Sequence, residues 1–254
     1  YGLGFDHKYN WAEFENRGSY SASTKGHIYN TGIFTNIGYN FLNDTTLSFY
    51  ARSDEHKLTG INNSYKINLN KIFDKLKLSA THSTGLRNPS LYELYGTDNF
   101  GYSGNLNLNP EKSETNELNA ELALFKNFLL SMTGFKSNIF DQVEYKNNQY
   151  VNHSSATDLN QSGIETSTSW MGENFKLTFF GTSLSSKKID GSDQLRRPDK
   201  TYGIKYKQKI FNNLIGPFEF NLKYHHYGNH WDTHSSNYST ILMDSTNLVD
   251  LSLT

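Results

Sequence analysis

Apolar and polar residues alternate one by one along much of this 254-residue chain. Residues 175–179 read FKLTF, and residues 76–81 and 218–224 repeat the pattern. A period of two places the apolar side chains on one face of a β-strand and the polar side chains on the other. The four prolines lie outside or at the margins of these segments, as paired strands require. The pattern therefore predicts an all-β, antiparallel chain.

Turn signals divide the chain into about twelve strands. We predict them at residues 1–9, 27–40, 45–54, 60–69, 76–86, 113–125, 128–140, 160–172, 174–187, 199–210, 217–228 and 246–254. The connections mostly alternate between short ones, at 41–44, 70–75, 126–127, 171–173 and 211–216, and long ones, at 10–26, 87–112, 141–160, 187–199 and 229–245. Outer-membrane barrels alternate short periplasmic turns with long extracellular loops. The spacing predicts a transmembrane, up-and-down β-barrel.

The composition agrees with strands that have one face in lipid and the other face in water. Hydrophobic residues make up 35% of the chain, yet aromatic residues make up 15%. A soluble β-sandwich of this length would usually have shorter strands and a core richer in aliphatic side chains. A β-solenoid would show a fixed repeat, and none is present. The most apolar stretch, 118–132, is interrupted by charges and is too short for a transmembrane helix. No signal peptide opens the chain, so we expect it to be an excerpt of a longer protein.

Charge and motif content exclude several function classes. A net charge of −1 gives no basic surplus for nucleic acid, and the absence of cysteine removes disulfides and thiolate chemistry. No catalytic motif is found, so no enzyme and no cofactor are predicted. Residues 190–193 (DGSD) favour a plain turn over a calcium site. Four histidines lie at 225, 226, 230 and 234. His225 and His226 fall in a predicted strand, where they face opposite sides, and the group favours exposed positions near a ligand mouth over a metal site.

The strongest local signal lies between residues 85 and 117. It reads GLRNPSLYELYG from Gly85 to Gly96 and GNLNLNPEKSETNE from Gly104 to Glu117. The residues indicate a strand end, an Asn-Pro turn, an aromatic stretch and entry into the next strand. The aromatic stretch could contact a ligand or lie at the outer membrane interface.

This pair of segments is similar to the motifs of TonB-dependent outer-membrane receptors. Residues 135–145 (FKSNIFDQVEY), 163–165 (GIE) and 195–198 (LRRP) resemble further motifs of that family, so that the resemblance covers nearly the whole chain. Residues 51–54 (ARSD), the pair Arg196-Arg197 and residues 227–232 (YGNHWD) look most like the cobalamin-receptor branch.

The resemblance implies a transporter of the bacterial outer membrane, in a Gram-negative bacterium, that takes up cobalamin or a related corrinoid. The alternative substrate is a ferric siderophore or haem; a passive porin is less favoured, because porins have no need of the 104–117 motif. Residues 1–254 would be part of a 22-stranded barrel, about its ninth to twentieth strand, with the plug domain and terminal strands outside it. The implied partners are outer-membrane lipid, the small-molecule substrate and the energy-transducing TonB protein, which acts through the plug region.

The candidate substrate-binding residues follow from the same resemblance. It points to Arg196, the first arginine of the loop exit, and to His230, where the cobalamin branch often carries an arginine. Tyr92, Tyr95 and Tyr102 are further candidates from the aromatic stretch. No catalytic residue and no metal ligand are assigned.

Overall fold

The computed structural model describes residues 1–42, 44–152, 159–212, 216–237 and 239–254. These residues form seventeen strands and one short helix, α1, at Leu91–Tyr95. The strands are β1 (Gly2–Asn16), β2 (Ala22–Asn40), β3 (Thr45–His56), β4 (Gly60–Phe73), β5 (Leu76–Arg87), β6 (Gly96–Asp98), β7 (Glu111–Phe125), β8 (Phe128–Phe140), β9 (Val143–Lys146), β10 (Gln149–Asn152), β11 (Leu159–Met171), β12 (Phe175–Lys188), β13 (Lys200–Asn212), β14 (Gly216–Tyr227), β15 (His230–Thr233), β16 (Thr240–Met243) and β17 (Thr246–Leu253). Among the described residues, no helix is long and apolar enough to span a membrane.

Twelve strands pair in chain order, β1-β2-β3-β4-β5-β7-β8-β11-β12-β13-β14-β17, and β6 pairs with β2 outside this path. The predicted antiparallel, all-β architecture is confirmed, as are twelve sequential strands. The remaining strands form two hairpins within loops, β9–β10 and β15–β16. Contacts between Cα atoms group the chain into one unit of residues 1–69, 81–116 and 137–159 and a second of residues 70–80, 117–136 and 160–254.

The predicted long connection at 10–26 is wrong. β1 continues to Asn16 and β2 begins at Ala22, so only residues 17–21 separate them. The register continues through this extension, with Trp11 opposite His27 and Phe14 opposite Thr24. Tertiary pairing of polar segments outweighs their weak alternation. The predicted turn at 126–127 is confirmed, whereas residues 43 and 213–215 of two other predicted turns lie outside the described residues.

The register of β12, β13, β14 and β17 separates two faces. Directly opposite residues of an antiparallel pair share a face. On one face, Phe179 is opposite Ile204, Ile204 is opposite Tyr224, and Tyr224 is opposite Val249. The other face carries the intervening polar residues, such as Thr178, whose hydroxyl lies 3.0 Å from that of Ser169. We call these the apolar face and the polar face.

The first three strands show the same separation. Their apolar face carries mainly apolar and aromatic side chains, among them Leu3, Phe5, Ile33, Ile37 and Phe49. Their polar face holds Arg52, which donates to Asp6 at 2.7 Å and to Asp54 at 2.6 Å. Large apolar side chains on the apolar face are exposed in the chain alone, Phe5 by 66% and Leu251 by 67%. Exposed apolar side chains on one face of the strands of each unit fit contact with lipid.

Candidate functional site

Arg87, at the end of β5, joins three elements of the first unit. Its Nε donates to Glu111 at 2.6 Å and its Nη2 to the other oxygen of Glu111 at 2.9 Å. Its Nη1 and Nη2 donate to Glu93 of α1 at 3.2–3.3 Å. Glu111 also accepts from the Val143 amide at 2.8 Å, at the start of β9. One guanidinium fork thus holds β5, α1 and β7 together.

The five-residue helix α1 is defined by its cap. The Ser90 hydroxyl accepts from the Glu93 amide at 3.2 Å, and the Glu93 carboxylate accepts from the Ser90 amide at 2.6 Å. This reciprocal capping box satisfies two amides that a helix start leaves free. Burial acts to raise the pKa of Glu93, but the hydrogen bonds from Ser90 and Arg87 outweigh it and hold that pKa below its usual value. The segment LRNPSLYEL therefore holds the start of the loop in a fixed conformation.

The segment between β5 and β7 folds onto β2. Leu94 of α1 packs with Ile28 of β2 and with Leu108 in a buried cluster. The Tyr95 ring covers Gly26, where an added Cβ would lie 2.5 Å from the ring. β6 pairs with residues 22–24 of β2, on the edge that β3 does not reach. The segment between β5 and β7 is therefore an integral, packed part of the fold.

The β9–β10 hairpin lies against this segment. Its two-residue turn, Asn147-Asn148, has positive φ at both positions, which is the geometry of a type I′ turn. Asn105 donates to the Tyr150 carbonyl at 2.9 Å, and Asn152 exchanges hydrogen bonds with the Asn109 backbone at 2.7 and 3.0 Å. Asparagine side chains thus supply several of the contacts between the hairpin and this segment.

Four tyrosines, Tyr92, Tyr102, Tyr145 and Tyr150, form what we call the tyrosine cluster. Ring centroids lie 4.8 Å apart for Tyr92 and Tyr102 and 5.3 Å apart for Tyr145 and Tyr150. Tyr102 is only 3% exposed and donates to the Tyr92 carbonyl at 2.6 Å, whereas Tyr92 is 39% and Tyr145 53% exposed. Burial and the neighbouring Tyr92 raise the pKa of Tyr102. Tyr102 supports the cluster, and Tyr92 and Tyr145 present its surface.

Replacing Tyr102 with Phe tests this supporting role. The variant removes one of two donors from the Tyr92 carbonyl, which keeps its hydrogen bond from the Gly96 amide, so we expect a loss of about 1 kcal/mol in local stability. Hydrogen exchange of amides 92–102 should accelerate, while Tyr95→Phe, whose hydroxyl donates at 3.3 Å to the His27 carbonyl, should change it less. Equal exchange in both variants would contradict a special role for Tyr102.

The other predicted binding residues lie in the second unit. Arg196 has a φ of +60° and its side chain is 71% exposed. Its Nε donates to Asp232 at 2.7 Å, and its amide donates to the Trp231 carbonyl at 2.7 Å. His230 lies one residue before Trp231, on β15, with Nδ1 3.4 Å from the Gly228 carbonyl oxygen. The structure therefore brings Arg196 and His230 to the same loop pair.

The Arg196–Asp232 ion pair favours the ionised form of Asp232. The hydrogen bond from Arg196 and the backbone hydrogen bond from Thr233 lower the pKa of Asp232. The ion pair is thus fully formed at pH values above the usual pKa of an aspartate, and it weakens as the pH falls through the lowered pKa of Asp232. Within the described residues, the hydrogen bond from the Arg196 guanidinium to Asp232 is made by Nε.

The other polar candidates are used locally. Asp190 accepts from the Ser192 amide at 2.9 Å, and Asp193 pairs with Lys187, which agrees with a turn. His225 and His226 lie on opposite faces of β14, as the strand pattern predicts. Among the described residues, no three His, Asp or Glu side chains are placed to hold a metal ion.

The sequence analysis did not identify two members of the tyrosine cluster, Tyr145 and Tyr150. They flank the Asn147-Asn148 turn, and the N-N dipeptide between alternating residues is a hairpin signal that could have found them. It also missed the role of Arg87, because the partners Glu93 and Glu111 lie 6 and 24 residues away.

Comparisons with known proteins show the family from a family model and the fold from solved structures. The family model described as TonB dependent receptor-like, beta-barrel matches residues 1–254. The siderophore receptor PirA of Acinetobacter baumannii superposes with a TM-score of 0.72 at 14% identity, over 99% of this chain and 48% of that one. A mutant of the ferric enterobactin receptor of Pseudomonas aeruginosa gives 0.72 at 16% identity, over 91% and 38%. The ferric yersiniabactin uptake receptor FyuA of Yersinia pestis gives 0.66 at 12% identity, over 92% and 39%. The chain spans half or less of each solved chain.

Proposed function

Because this chain belongs to the TonB-dependent receptor β-barrel family, we propose that it is part of the barrel of an outer-membrane receptor that takes up a ferric siderophore. The family match over the whole chain is the observation that carries the receptor function. The apolar faces of the sheet support a place in the outer membrane. On this proposal, residues 1–254 are one part of a longer barrel, TonB supplies the energy, and the protein catalyses no covalent chemistry.

The siderophore alternative is better supported than cobalamin. The three solved structures reported above are, by their descriptions, receptors for siderophores or for their ferric complexes. The comparisons do not support the cobalamin branch that residues 51–54 and 227–232 favour. His230, in place of an arginine, is a further departure from that branch.

The site geometry supports a ligand with aromatic or anionic groups. Tyr92 and Tyr145 present ring surface in the first unit. In the second unit, Arg196 presents a guanidinium held by Asp232. Rings stack on planar ligand groups, and a guanidinium donates to carboxylate or phenolate oxygens. Each unit thus offers chemistry that suits a metal chelate.

Growth of a receptor-deletion strain tests the substrate class. We expect the intact receptor to restore growth on ferric siderophores under iron limitation. It should leave cobalamin-dependent growth unchanged. Rescue on cobalamin alone would reverse the choice, and rescue by a variant lacking the TonB-contacting region would favour a passive porin.

Replacing Arg196 with Ala should weaken substrate binding roughly tenfold, because one charge-assisted hydrogen bond is lost. Arg197→Ala, which removes the neighbouring charge, should have a smaller effect. Affinity is measured on the purified intact receptor by fluorescence quenching with each ferric siderophore that supports growth.

Asp232→Asn separates ligand contact from loop anchoring. It weakens the Arg196–Asp232 pair but retains the guanidinium. If Arg196 contacts the ligand, Asp232→Asn should bind better than Arg196→Ala. Equal losses in the two variants would assign Arg196 to loop anchoring, and near-normal affinity in both would remove it from the site.

A further inference from the structure

The turn between β3 and β4 is organised by one histidine ring. His56 is the last residue of β3, and its Nδ1 accepts from the amides of Leu58 and Thr59 at 3.4 and 3.3 Å. The Thr59 hydroxyl lies 3.2 Å from Nδ1 and accepts from Asn62 Nδ2 at 3.1 Å. Because backbone N–H groups can only donate, Nδ1 must carry a lone pair, and the proton of the neutral ring lies on Nε2. The turn therefore depends on one protonation state of His56.

The His56 ring is enclosed by this chain itself. The residue is 2% exposed, and its Nε2 is shielded from solvent with no hydrogen-bond partner among the described residues. The donors to Nδ1 all come from the turn that follows the ring in the chain. A neighbour packed against the polar face would add cover and leave the acceptor role of Nδ1 unchanged. The environment of this ring is therefore a property of the chain.

The surroundings of the ring offer no counter-charge to a protonated imidazole. The ring borders a recess between β1, β2 and residues 88–91, and among the described residues that line it Lys8 alone is charged at neutral pH. Asp54, two positions before His56 on the same face of β3, is already held by Arg52 at 2.6 Å. The other titratable residues that line the recess are Tyr9 and Tyr29. Burial lowers the pKa of His56 below its usual value of 6.5.

We propose that His56 is a proton-operated switch of the β3–β4 turn, which holds the turn closed while the ring is neutral and releases it when the ring is protonated. A proton on Nδ1 would face the N–H groups of Leu58 and Thr59, which cannot accept it. The Thr59 hydroxyl can rotate to accept this proton, but the two amides lose their acceptor, and unsatisfied donors disfavour the closed turn. The switch does not depend on the proposed uptake function.

The direction of the effect follows from proton linkage. In the open turn, His56 takes up a proton near the usual pKa of 6.5, whereas in the closed turn it does so only at a lower pH. The closed turn is thus fully stabilised above pH 6.5 and is weakened as the pH falls from there through the lowered pKa. Because one proton is taken up, each pH unit within this window favours the open turn by up to about tenfold. Acid therefore loosens this end of β3 and β4.

Hydrogen exchange of the intact receptor between about pH 7.5 and 5.5 tests the switch. After correction for the pH dependence of chemical exchange, the protection of amides 58 and 59 should fall roughly tenfold over this range. The Gly191 amide is the internal reference, since it donates to the Lys188 carbonyl at 2.9 Å in a turn without histidine. Its protection should stay constant. Constant protection of amides 58 and 59 as well would overturn the proposal.

His56→Asn separates the acceptor from its titration. An asparagine oxygen accepts from the amides that follow it, as in an Asx-turn, and does not titrate in this range. The variant should keep amides 58 and 59 protected at every pH. His234→Asn is the matched control, because His234 Nδ1 accepts from the Ser236 amide at 3.3 Å in another turn, and it should retain the wild-type profile of amides 58 and 59.

The two variants give the experiment a second decisive outcome. A pH dependence that persists in His56→Asn would assign the effect to another group and overturn the proposal. Should His56→Asn not fold, the wild-type profile of amides 58 and 59 against that of Gly191 decides: a fall confined to the first two amides supports the switch, and a parallel fall at Gly191 contradicts it.

Discussion

Replacing Arg87 with Ala should release the segment between β5 and β7 from β2 while the strands stay paired. The change leaves Glu93 and Glu111 facing each other without their shared cation. Breaking a buried ion pair costs about 3–5 kcal/mol, and because the Arg87 side chain is 46% exposed we expect about 2–3 kcal/mol. Hydrogen exchange of amides 90–104 should accelerate by about two orders of magnitude.

Two comparisons make this result specific. Arg17→Ala removes an exposed pair with Glu15, whose side chains are 85% and 59% exposed, and should change exchange little. Acidification of the wild type should mimic Arg87→Ala only when the pH has fallen from the usual glutamate pKa of 4.5 through the lowered pKa of Glu93, because Glu93 stays ionised above that lowered value. Unchanged exchange in Arg87→Ala would show that the apolar cluster alone holds the loop.

Replacing Phe179 with Arg should destabilise the intact receptor in lipid by about 2–4 kcal/mol. The residue lies in the row Phe179, Ile204, Tyr224 and Val249 on the apolar face. An arginine on the lipid face near the bilayer midplane costs this much, and less near the interfaces. Urea unfolding in lipid vesicles measures the loss.

Thr182→Arg supplies the control on the same strand. Thr182 lies on the polar face, opposite Thr201, so its arginine should remain in water at little cost. A larger destabilisation by Thr182→Arg than by Phe179→Arg would reverse the assignment of the two faces.

The strand order was predictable because it depends on local pattern. Alternation in segments such as 175–179 fixes which side chains share a face, and sequential pairing follows from short turns such as 126–127. The ends of β1 and β2 were not predictable, because residues 10–16 and 22–26 are held by pairing with each other rather than by alternation. The helix α1 was missed because five residues are too few to show a helical period.

The candidate sites were less predictable than the fold. The resemblance identified the 85–117 motif. Its structural role depends on contacts of Arg87 with Glu93 and Glu111, which only the folded chain shows. Tyr92 and Tyr102 were named from one loop, whereas half of the tyrosine cluster comes from the β9–β10 hairpin. Contacts between loops distant in sequence leave no local signal.

The pairing of β6 with β2 has a consequence for the order of folding. Gly96 pairs with Thr24 and Asp98 with Ala22, so these contacts close chain segments of more than seventy residues. Contacts of such long sequence separation form late, because the closure entropy must be overcome before they contribute. The β1–β2 hairpin can form first and provide the edge on which the segment condenses. Substitutions such as Arg87→Ala should therefore have low φ-values: they should accelerate detachment of the segment and leave the rate of strand assembly nearly unchanged.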